Sequence, residues 1–254
     1  MRIALHSDLH EEFYPVGEAP LPEQSEVDLV LLAGDNNTGA GLPDMLRRYH
    51  LHFNAPVLCV LGNHEYYDAE MVTTEKEITV ALSDENDIHF LQKSVFEIAN
   101  VRILGCTLWS DFLIDGQEGK QDAIKTCRSR IMDYRLIQYR DKQFTPEDSM
   151  DLMNDHLKWL RGELAQDFSG KTVVMTHHCP SIYFVQEQYL SSNLKGAFVS
   201  NLHRIIEQYP IDLWVCGHVH YNVDVTLGGT RLVSNCRGYP KENIPWDKRC
   251  VLTL

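Results

Sequence analysis

The feature that most constrains this chain is a recurring short apolar segment with a polar turn directly after it. Residues 2–7, 28–33 and 56–61 are rich in valine, leucine and isoleucine, which is typical of buried β-strands. Residues 42–51 repeat their apolar side chains at helical spacing between the second and third of these segments. A strand, a helix and a strand in this order predict a parallel crossover and therefore an α/β fold.

The same alternation continues in the second half of the chain. Thr145 and Pro146 are typical of a helix start, and apolar residues then recur on one face up to Leu164. The elements predicted after this helix are a strand at 172–176, a helix at 197–208, a strand at 212–216, a hairpin at 223–234 and a final strand at 250–254. We expect one domain covering residues 1–254.

The charge balance argues against one class of partner. The chain has 23 lysine and arginine residues against 36 aspartate and glutamate residues, which gives a formal net charge of −13. A field of this sign repels the backbone of a long nucleic-acid duplex, so we do not expect extensive duplex binding. Its apolar stretches are far shorter than the roughly 20 residues that cross a bilayer, so we expect no membrane association.

The cysteines indicate a cellular compartment. There are seven, scattered and without a close Cys-x-x-Cys pair, which argues against a disulfide framework and against a zinc ribbon. The first residues lack the basic start and the long apolar stretch of a secretion signal. These features predict a cytoplasmic location.

Candidate metal ligands of similar chemistry follow five of the predicted strands. Open α/β sheets bind their ligands at the carboxyl ends of the strands, so these five turns are expected to meet. They are Ser-Asp-Leu-His at 7–10, Gly-Asp-Asn at 34–36, Gly-Asn-His-Glu at 62–65, Thr-His-His at 176–178 and Gly-His-Val-His at 217–220. Oxygen and imidazole donors without a thiolate suit divalent manganese, iron, zinc or nickel.

Each of these turns, taken alone, has a simpler structural explanation. An Asp-x-His sequence after a strand is commonly a turn with a satisfied polar side chain, and a lone His-x-His sequence is a weak indication of metal binding. Five such turns after five different strands have no shared structural reason to occur, because buried histidine and aspartate are costly unless paired or bound to metal. We therefore predict that they form one metal site.

The ordered motifs resemble those of the calcineurin-like metallophosphoesterases, which are Asp-x-His, Gly-Asp, Gly-Asn-His-Asp/Glu, His and Gly-His-x-His. All five occur here in that order between Asp8 and His220. The resemblance implies a four-layer α/β/β/α sandwich of two mixed sheets with a dinuclear metal centre at one edge. It also implies a metal-dependent phosphoric ester hydrolase with two divalent or mixed-valence ions of the manganese, iron or zinc type.

The resemblance also implies a role for each site residue. One metal would be held by Asp8, His10 and His220, the other by Asn63, His177 and His218, with Asp35 bridging both and His64 acting as the catalytic acid. His178 is the alternative to His177, which is favoured because it is the first histidine of its motif and the nearest to the strand end.

This arrangement predicts hydrolysis of a phosphate ester. Two divalent cations with two aspartates and a bridging hydroxide leave a positive site, which favours a small anionic substrate and stabilises charge on phosphoryl oxygens. The bridging hydroxide would attack phosphorus, and His64 would protonate the leaving alkoxide. A phosphodiester or a small phosphomonoester is the expected substrate.

Two other functions remain as alternatives: a non-catalytic interaction module on the same scaffold, and a protein phosphatase. In the protein-phosphatase branch the Gly-Asp motif continues with an Asp-Arg pair that orients the acid and grips phosphate. Here Asn36 and Asn37 stand at that point, so this motif fills neither role. The difference disfavours a protein phosphatase.

A basic segment suggests where the substrate is held. Residues 119–142 contain seven basic and three acidic residues. We hypothesise that a lid within residues 107–145 covers the metals and suits a nucleotide-like ester by charge and stacking. Its relevant side chains would be Arg128, Arg135, Tyr134, Tyr139 and Phe144. The alternative is a solvated helix face.

Overall fold

A computed structural model describes all residues from Met1 to Leu254 and contains thirteen strands. In chain order these are β1 (Arg2–His6), β2 (Leu29–Ala33), β3 (Val57–Val60), β4 (Ile88–Phe90), β5 (Ser94–Ile98), β6 (Val101–Cys106), β7 (Gln138–Tyr139), β8 (Lys142–Gln143), β9 (Lys171–Thr176), β10 (Leu213–Cys216), β11 (Asp224–Leu227), β12 (Thr230–Ser234) and β13 (Val251–Thr253). The α-helices are α1 (Leu42–Phe53), α2 (Met71–Ala81), α3 (Gly116–Arg130), α4 (Asp133–Leu136), α5 (Pro146–Leu164) and α6 (His203–Gln208).

The strands form two large sheets and one small hairpin. The first sheet has the order β13-β1-β2-β3-β4, in which β1 to β4 are parallel and β13 is antiparallel to β1. The second has the order β11-β12-β10-β9-β6-β5, with a parallel centre and an antiparallel strand at each edge. Strands β7 and β8 form a two-stranded antiparallel hairpin.

The two large sheets pack face to face. Because side chains alternate along a strand, Leu5 and Leu31 point inward from the first sheet and join Val173 and Val215 of the second in one buried cluster. The intervening residues point outward and pack against helices: Leu32 lies in a second cluster with Leu46 of α1, which also contains residues of α5. Burial on both faces explains why the strands are continuous apolar runs.

These layers confirm the four-layer sandwich of two mixed sheets. The predicted start of α5 is also confirmed, because Thr145 and Asp148 form a capping box in which each side chain accepts a hydrogen bond from the other residue's backbone N–H. None of the helices combines the length and the apolar composition that crossing a membrane requires.

One predicted helix is shorter than expected. The helix predicted at 197–208 begins only at His203, because the preceding residues pair with the chain after β9. Cys179 donates its N–H to the carbonyl of Phe198, and its own carbonyl accepts the N–H of Ser200. The basic segment is also not one continuous helix, since α3 ends at Arg130 and Ile131 is extended.

Candidate metal centre

The five predicted turns meet at one edge of the sandwich. Each follows the carboxyl end of a parallel strand, namely β1, β2 and β3 of the first sheet and β9 and β10 of the second. The structure brings all eight predicted site residues together there: Asp8, His10, Asp35, Asn63, His64, His177, His218 and His220.

Asp8, His10 and His220 form one group of possible metal ligands. Nε2 of His220 lies 3.4 Å from Oδ1 of Asp8 and 3.0 Å from Nε2 of His10. The backbone N–H of His218 donates to Oδ1 of Asp8 at 2.9 Å, which joins the turn after β10 to the turn after β1. The two sheets therefore contribute jointly to this group.

Asp35, His177 and His218 form a second group, with Asn63 beside it. Nε2 of His177 lies 3.4 Å from Oδ2 of Asp35, 3.1 Å from Nδ1 of His218 and 3.2 Å from Oδ1 of Asn63. His178 instead turns its Nδ1 toward the carbonyl of Thr107. The geometry thus favours His177 over His178 as a ligand.

Asp35 lies between the two groups. Its Oδ1 accepts the backbone N–H of His64 at 2.8 Å, which fixes the carboxylate. Its Oδ2 lies 3.4 Å from Nε2 of His177 and 4.0 Å from Nε2 of His10. An oxygen that faces both groups is suited to bridge two cations.

Outer hydrogen bonds fix which nitrogen of His177, His220 and His10 faces the centre. Nδ1 of His177 lies 2.8 Å from the carbonyl oxygen of Ala33, Nδ1 of His220 lies 2.5 Å from Glu242, and Nδ1 of His10 lies 3.0 Å from Glu12. Donation through Nδ1 leaves Nε2 as the lone-pair atom, as is usual for metal-binding histidines.

The donors present fit a cation. With both Nδ1 atoms engaged as donors, the Nε2 atoms of His10 and His220 would turn lone pairs toward each other at 3.0 Å. A shared cation removes this repulsion, and the carboxylates of Asp8 and Asp35 supply negative charge. The residues therefore fit the implied pair of metals.

The backbone at the site adopts a conformation that non-glycine residues rarely take. Five of the proposed ligands have positive φ angles of 44° to 70°: Asp8, His10, Asp35, His218 and His220. The turns hold one another in this conformation, since the N–H of Asp8 bonds to the carbonyl of Gly34 and the N–H of His10 to that of Asp35. Such clustering of unfavourable conformations is typical of functional sites.

Gly62 is required by the close packing of the ligands. A Cβ atom at this position would lie 2.6 Å from Nε2 of His177 and 2.7 Å from the backbone nitrogen of Asp35. Both distances are shorter than real contacts of a Cβ atom, so any larger residue must displace the ligands. The glycine lets the turns after β2, β3 and β9 approach one another.

Glu65 clamps two of these turns, a role that the sequence analysis missed. Its buried carboxylate accepts the backbone N–H groups of Asp35 at 3.0 Å, Asn36 at 2.7 Å and Gly62 at 2.7 Å. Burial, aided by the negative charge of Asp35, raises the pKa of Glu65 to about 7. Its position in the Gly-Asn-His-Glu motif was the available signal.

His64 is held by a carboxylate from an unexpected part of the chain. Its Nδ1 lies 2.9 Å from Oε1 of Glu12, the oxygen that also contacts His10. Glu12 thus supplies an acid-orienting contact that the Gly-Asp motif does not provide. Glu12 lies outside the five motifs, so no motif indicates this contact. Only folding brings the turn after β1 against His64.

The electrostatic setting suits His64 as a proton donor. Burial lowers the pKa of His64, but the negative charge of Asp35 and the hydrogen bond with Glu12 outweigh burial and raise the pKa above its ordinary value. Nε2 of His64 lies 2.9 Å from the hydroxyl of Tyr239 and is turned toward a cavity.

That cavity has a volume of about 580 Å³ and begins at the metal centre. Asp35, Asn63, His64, His218 and His220 line one end of it. The remaining wall comes from residues 130–133, from part of the segments 184–198 and 239–244, and from Tyr67 and Val219. The volume is in the range of small-molecule sites.

The basic segment contributes differently from the prediction. Arg128 pairs with Glu147 at 2.6 Å, and Arg135 donates to the carbonyl of Ser129. The aromatic residues expected to stack on substrate are instead buried, because they pack into the hydrophobic cluster that also contains Leu32 and Leu46. These residues are Tyr134, Tyr139 and Phe144. From this segment only Arg130 to Asp133 reach the cavity, and the lid stays a prediction.

Comparisons with known proteins agree with this fold. A sequence model described as calcineurin-like phosphoesterase matches residues 1–222. The chain is similar in fold to phosphopantetheinyl hydrolase from Mycobacterium tuberculosis, with a TM-score of 0.71 and 19% identity over 94% of this chain and 90% of that chain. It is also similar to a dimetal phosphatase from Danio rerio, with a TM-score of 0.52 and 14% identity over 92% and 86%. No protein of curated function matches the sequence.

Proposed function

The chain belongs to the calcineurin-like phosphoesterase family, and from this membership we propose that it hydrolyses a phosphodiester or a small phosphomonoester. Membership makes it a metal-dependent phosphoric ester hydrolase with a dinuclear divalent metal centre. The observation that carries the proposed substrate class is that one cavity is lined both by His64 and by candidate metal ligands, namely Asp35, Asn63, His218 and His220.

We assign Asp8, His10 and His220 to one metal and Asn63, His177 and His218 to the other, with Asp35 shared. When bound, two divalent cations supply an acidified water as nucleophile and stabilise charge on the phosphoryl oxygens. Manganese, iron or zinc as the metals, and a cytoplasmic location, stay predictions.

His64 is the proposed general acid. The raised pKa of His64 favours its protonated form, and Glu12 holds Nδ1 so that Nε2 carries the transferable proton. The proton passes from Nε2 to the ester oxygen that leaves, which then departs as an alcohol. The leaving group must therefore lie on the cavity side of the metals, where Nε2 meets the hydroxyl of Tyr239.

A non-catalytic interaction module is less well supported. A protein that keeps only the scaffold has no need for ligands held in strained conformations, and yet five of the proposed ligands have positive φ angles. A protein phosphatase is also less well supported, since Arg128 and Arg135 of the basic segment are engaged away from the metals.

A metal-reconstitution experiment tests the proposal. The protein is stripped with a chelator, reloaded with manganese, iron or zinc, and assayed on bis-p-nitrophenyl phosphate, p-nitrophenyl phosphate and cyclic nucleotides. We expect metal-dependent release of product from at least one ester and none from the stripped protein. Failure to hydrolyse any ester with two metals bound per chain would favour the interaction module.

A further inference from the structure

The charged residues of the cavity wall are largely neutralised by neighbours. Lys195 pairs with Asp115 at 2.5 Å, and Glu242 pairs with His220 at 2.5 Å. The buried Asp133 accepts hydrogen bonds from Asn63 and Tyr67. Asp133 and the exposed Arg130 are the charged residues of the outer wall that form no ion pair. Away from the metals, Arg130 is therefore the one exposed, unpaired charge that the cavity offers to a charged ligand.

Apolar side chains make up much of the remaining wall. They come from three separate segments: Ile131 and Met132 after α3, Phe184, Val185, Leu194 and Phe198 after β9, and Ile244 near the end of the chain. Met132 is 43% exposed and Tyr189 is 53% exposed, although large apolar side chains are usually buried. Exposed apolar surface inside a concave site is what a partly apolar ligand would cover.

The position of His64 shows which part of a substrate enters this space. As the proposed acid, His64 protonates the leaving oxygen, and its Nε2 faces the cavity together with Tyr239. The alcohol attached to that oxygen must then extend away from the metals along the apolar wall.

We propose that the substrate is a phosphate ester whose leaving alcohol is uncharged and mainly apolar, and that this alcohol is bound by the apolar cavity-lining residues Ile131, Met132, Phe184, Val185, Leu194, Phe198 and Ile244. The proposal rests on the proposed function, because it uses the same metals and the same acid. It departs from a nucleotide-like substrate because most of the outer wall is apolar, although Gln186, Gln188, Ser192 and Asn243 also line it.

A homologous series of esters tests the inference. The metal-loaded protein is assayed on alkyl phosphates from ethyl to octyl and on the methyl diesters of the same alcohols. We expect kcat/KM to rise up to about fourfold per added methylene until the cavity is filled, as expected for burial of a CH₂ group. Pentyl phosphate should be a better substrate than ribose 5-phosphate. A flat or falling series in both ester classes would overturn the inference.

Substitutions in the cavity wall test where the alkyl chain of the leaving alcohol binds. Leu194→Gln and Ile244→Gln should each reduce the rise per methylene. The matched control is Leu190→Gln, since Leu190 is exposed in the same segment and lies outside the cavity wall, so its series should match that of the unmodified chain. Equal slopes in all four proteins, with unchanged thermal unfolding, would place the alcohol elsewhere and overturn the inference.

Failure of this inference and failure of the proposed function would give different results. Should the metal-loaded protein hydrolyse p-nitrophenyl esters and show no preference for longer alkyl chains, the inference fails and the proposed function stands. Should it hydrolyse none of the p-nitrophenyl esters, alkyl esters and cyclic nucleotides with two metals bound, the proposed function fails, and the inference fails with it.

Discussion

Oδ1 of Asp133 accepts a hydrogen bond of 2.9 Å from Nδ2 of Asn63 and a second one of 2.8 Å from the hydroxyl of Tyr67. Because an amide group is planar, engaging Nδ2 in this way turns Oδ1 of Asn63 toward His177. Burial raises the pKa of Asp133 to about 6, so its carboxylate is still mainly ionised at neutral pH. A residue outside every motif thus determines which atom of Asn63 is offered to a metal.

We therefore expect Asp133→Ala to weaken metal binding at the Asn63 side by about 10- to 100-fold, the usual effect of losing a partner of a ligand. Asp133→Asn keeps an oxygen acceptor and should restore much of the affinity. The check is the metal-to-protein ratio after dialysis, with thermal unfolding as control for folding. Equal ratios for both variants and the unmodified chain would contradict the assignment.

His64→Ala should lower kcat by at least about 100-fold, the lower end of the contribution of general acid catalysis. Its metal content should not change, because His64 is the proposed acid and not a ligand. Steady-state kinetics and metal analysis on one preparation test both statements. Wild-type turnover would remove His64 from the mechanism.

Glu12→Ala should lower activity by about 10- to 100-fold, because Oε1 of Glu12 contacts Nδ1 of both His10 and His64. Glu12→Gln retains an oxygen at this position and should lose less. The comparison of kcat and metal affinity in the two variants checks this ranking. If Glu12→Gln were as impaired as Glu12→Ala, charge and not orientation would be the contribution of Glu12.

Gly62→Ala should abolish the binding of at least one metal, because its Cβ would lie 2.6 Å from Nε2 of His177. The matched control is Gly162→Ala in α5, where a Cβ meets nothing within 4 Å. Alanine in a helix interior should raise the free energy of unfolding by about 0.5–1 kcal/mol relative to glycine. Metal analysis and urea unfolding would test the pair, and full metal content in Gly62→Ala would contradict the geometry.

His156 should make the protein less stable in mild acid. Burial, with a smaller contribution from Lys93, lowers the pKa of His156 from 6.5 to about 4. Below pH 6.5 the unfolded chain therefore binds a proton that the folded chain does not, so stability falls as pH decreases toward 4.

His156→Asn removes this titration and keeps an acceptor for the N–H of Leu108. Between pH 7.5 and pH 5, we expect the free energy of unfolding of the unmodified protein to fall by about 2 kcal/mol more than that of the variant. Urea unfolding at several pH values measures it. Parallel pH profiles would contradict the lowered pKa.

The sequence predicted more of the site than of its surroundings. The donor residues come in pairs or triplets directly after strands, so their types and spacing are local features of the chain. Glu12 and Asp133 have no such signal, because each acts on residues that only folding brings near, such as His64 and Asn63. The same holds for the helix predicted at 197–208, where pairing of Cys179 with Phe198 and Ser200 overrides the apolar periodicity.

The sequence by itself determined the alternation of strands and helices, the identity of the donor residues and the edge at which they meet. These depend on side-chain periodicity and on the common direction of parallel strands. Only the tertiary structure turned His177 toward His218 and His178 toward Thr107, placed Glu12 against His64, and engaged Arg128 and Arg135 with other residues. The physical reason is that such contacts depend on the packing of distant turns against one another, which no local pattern of residues specifies.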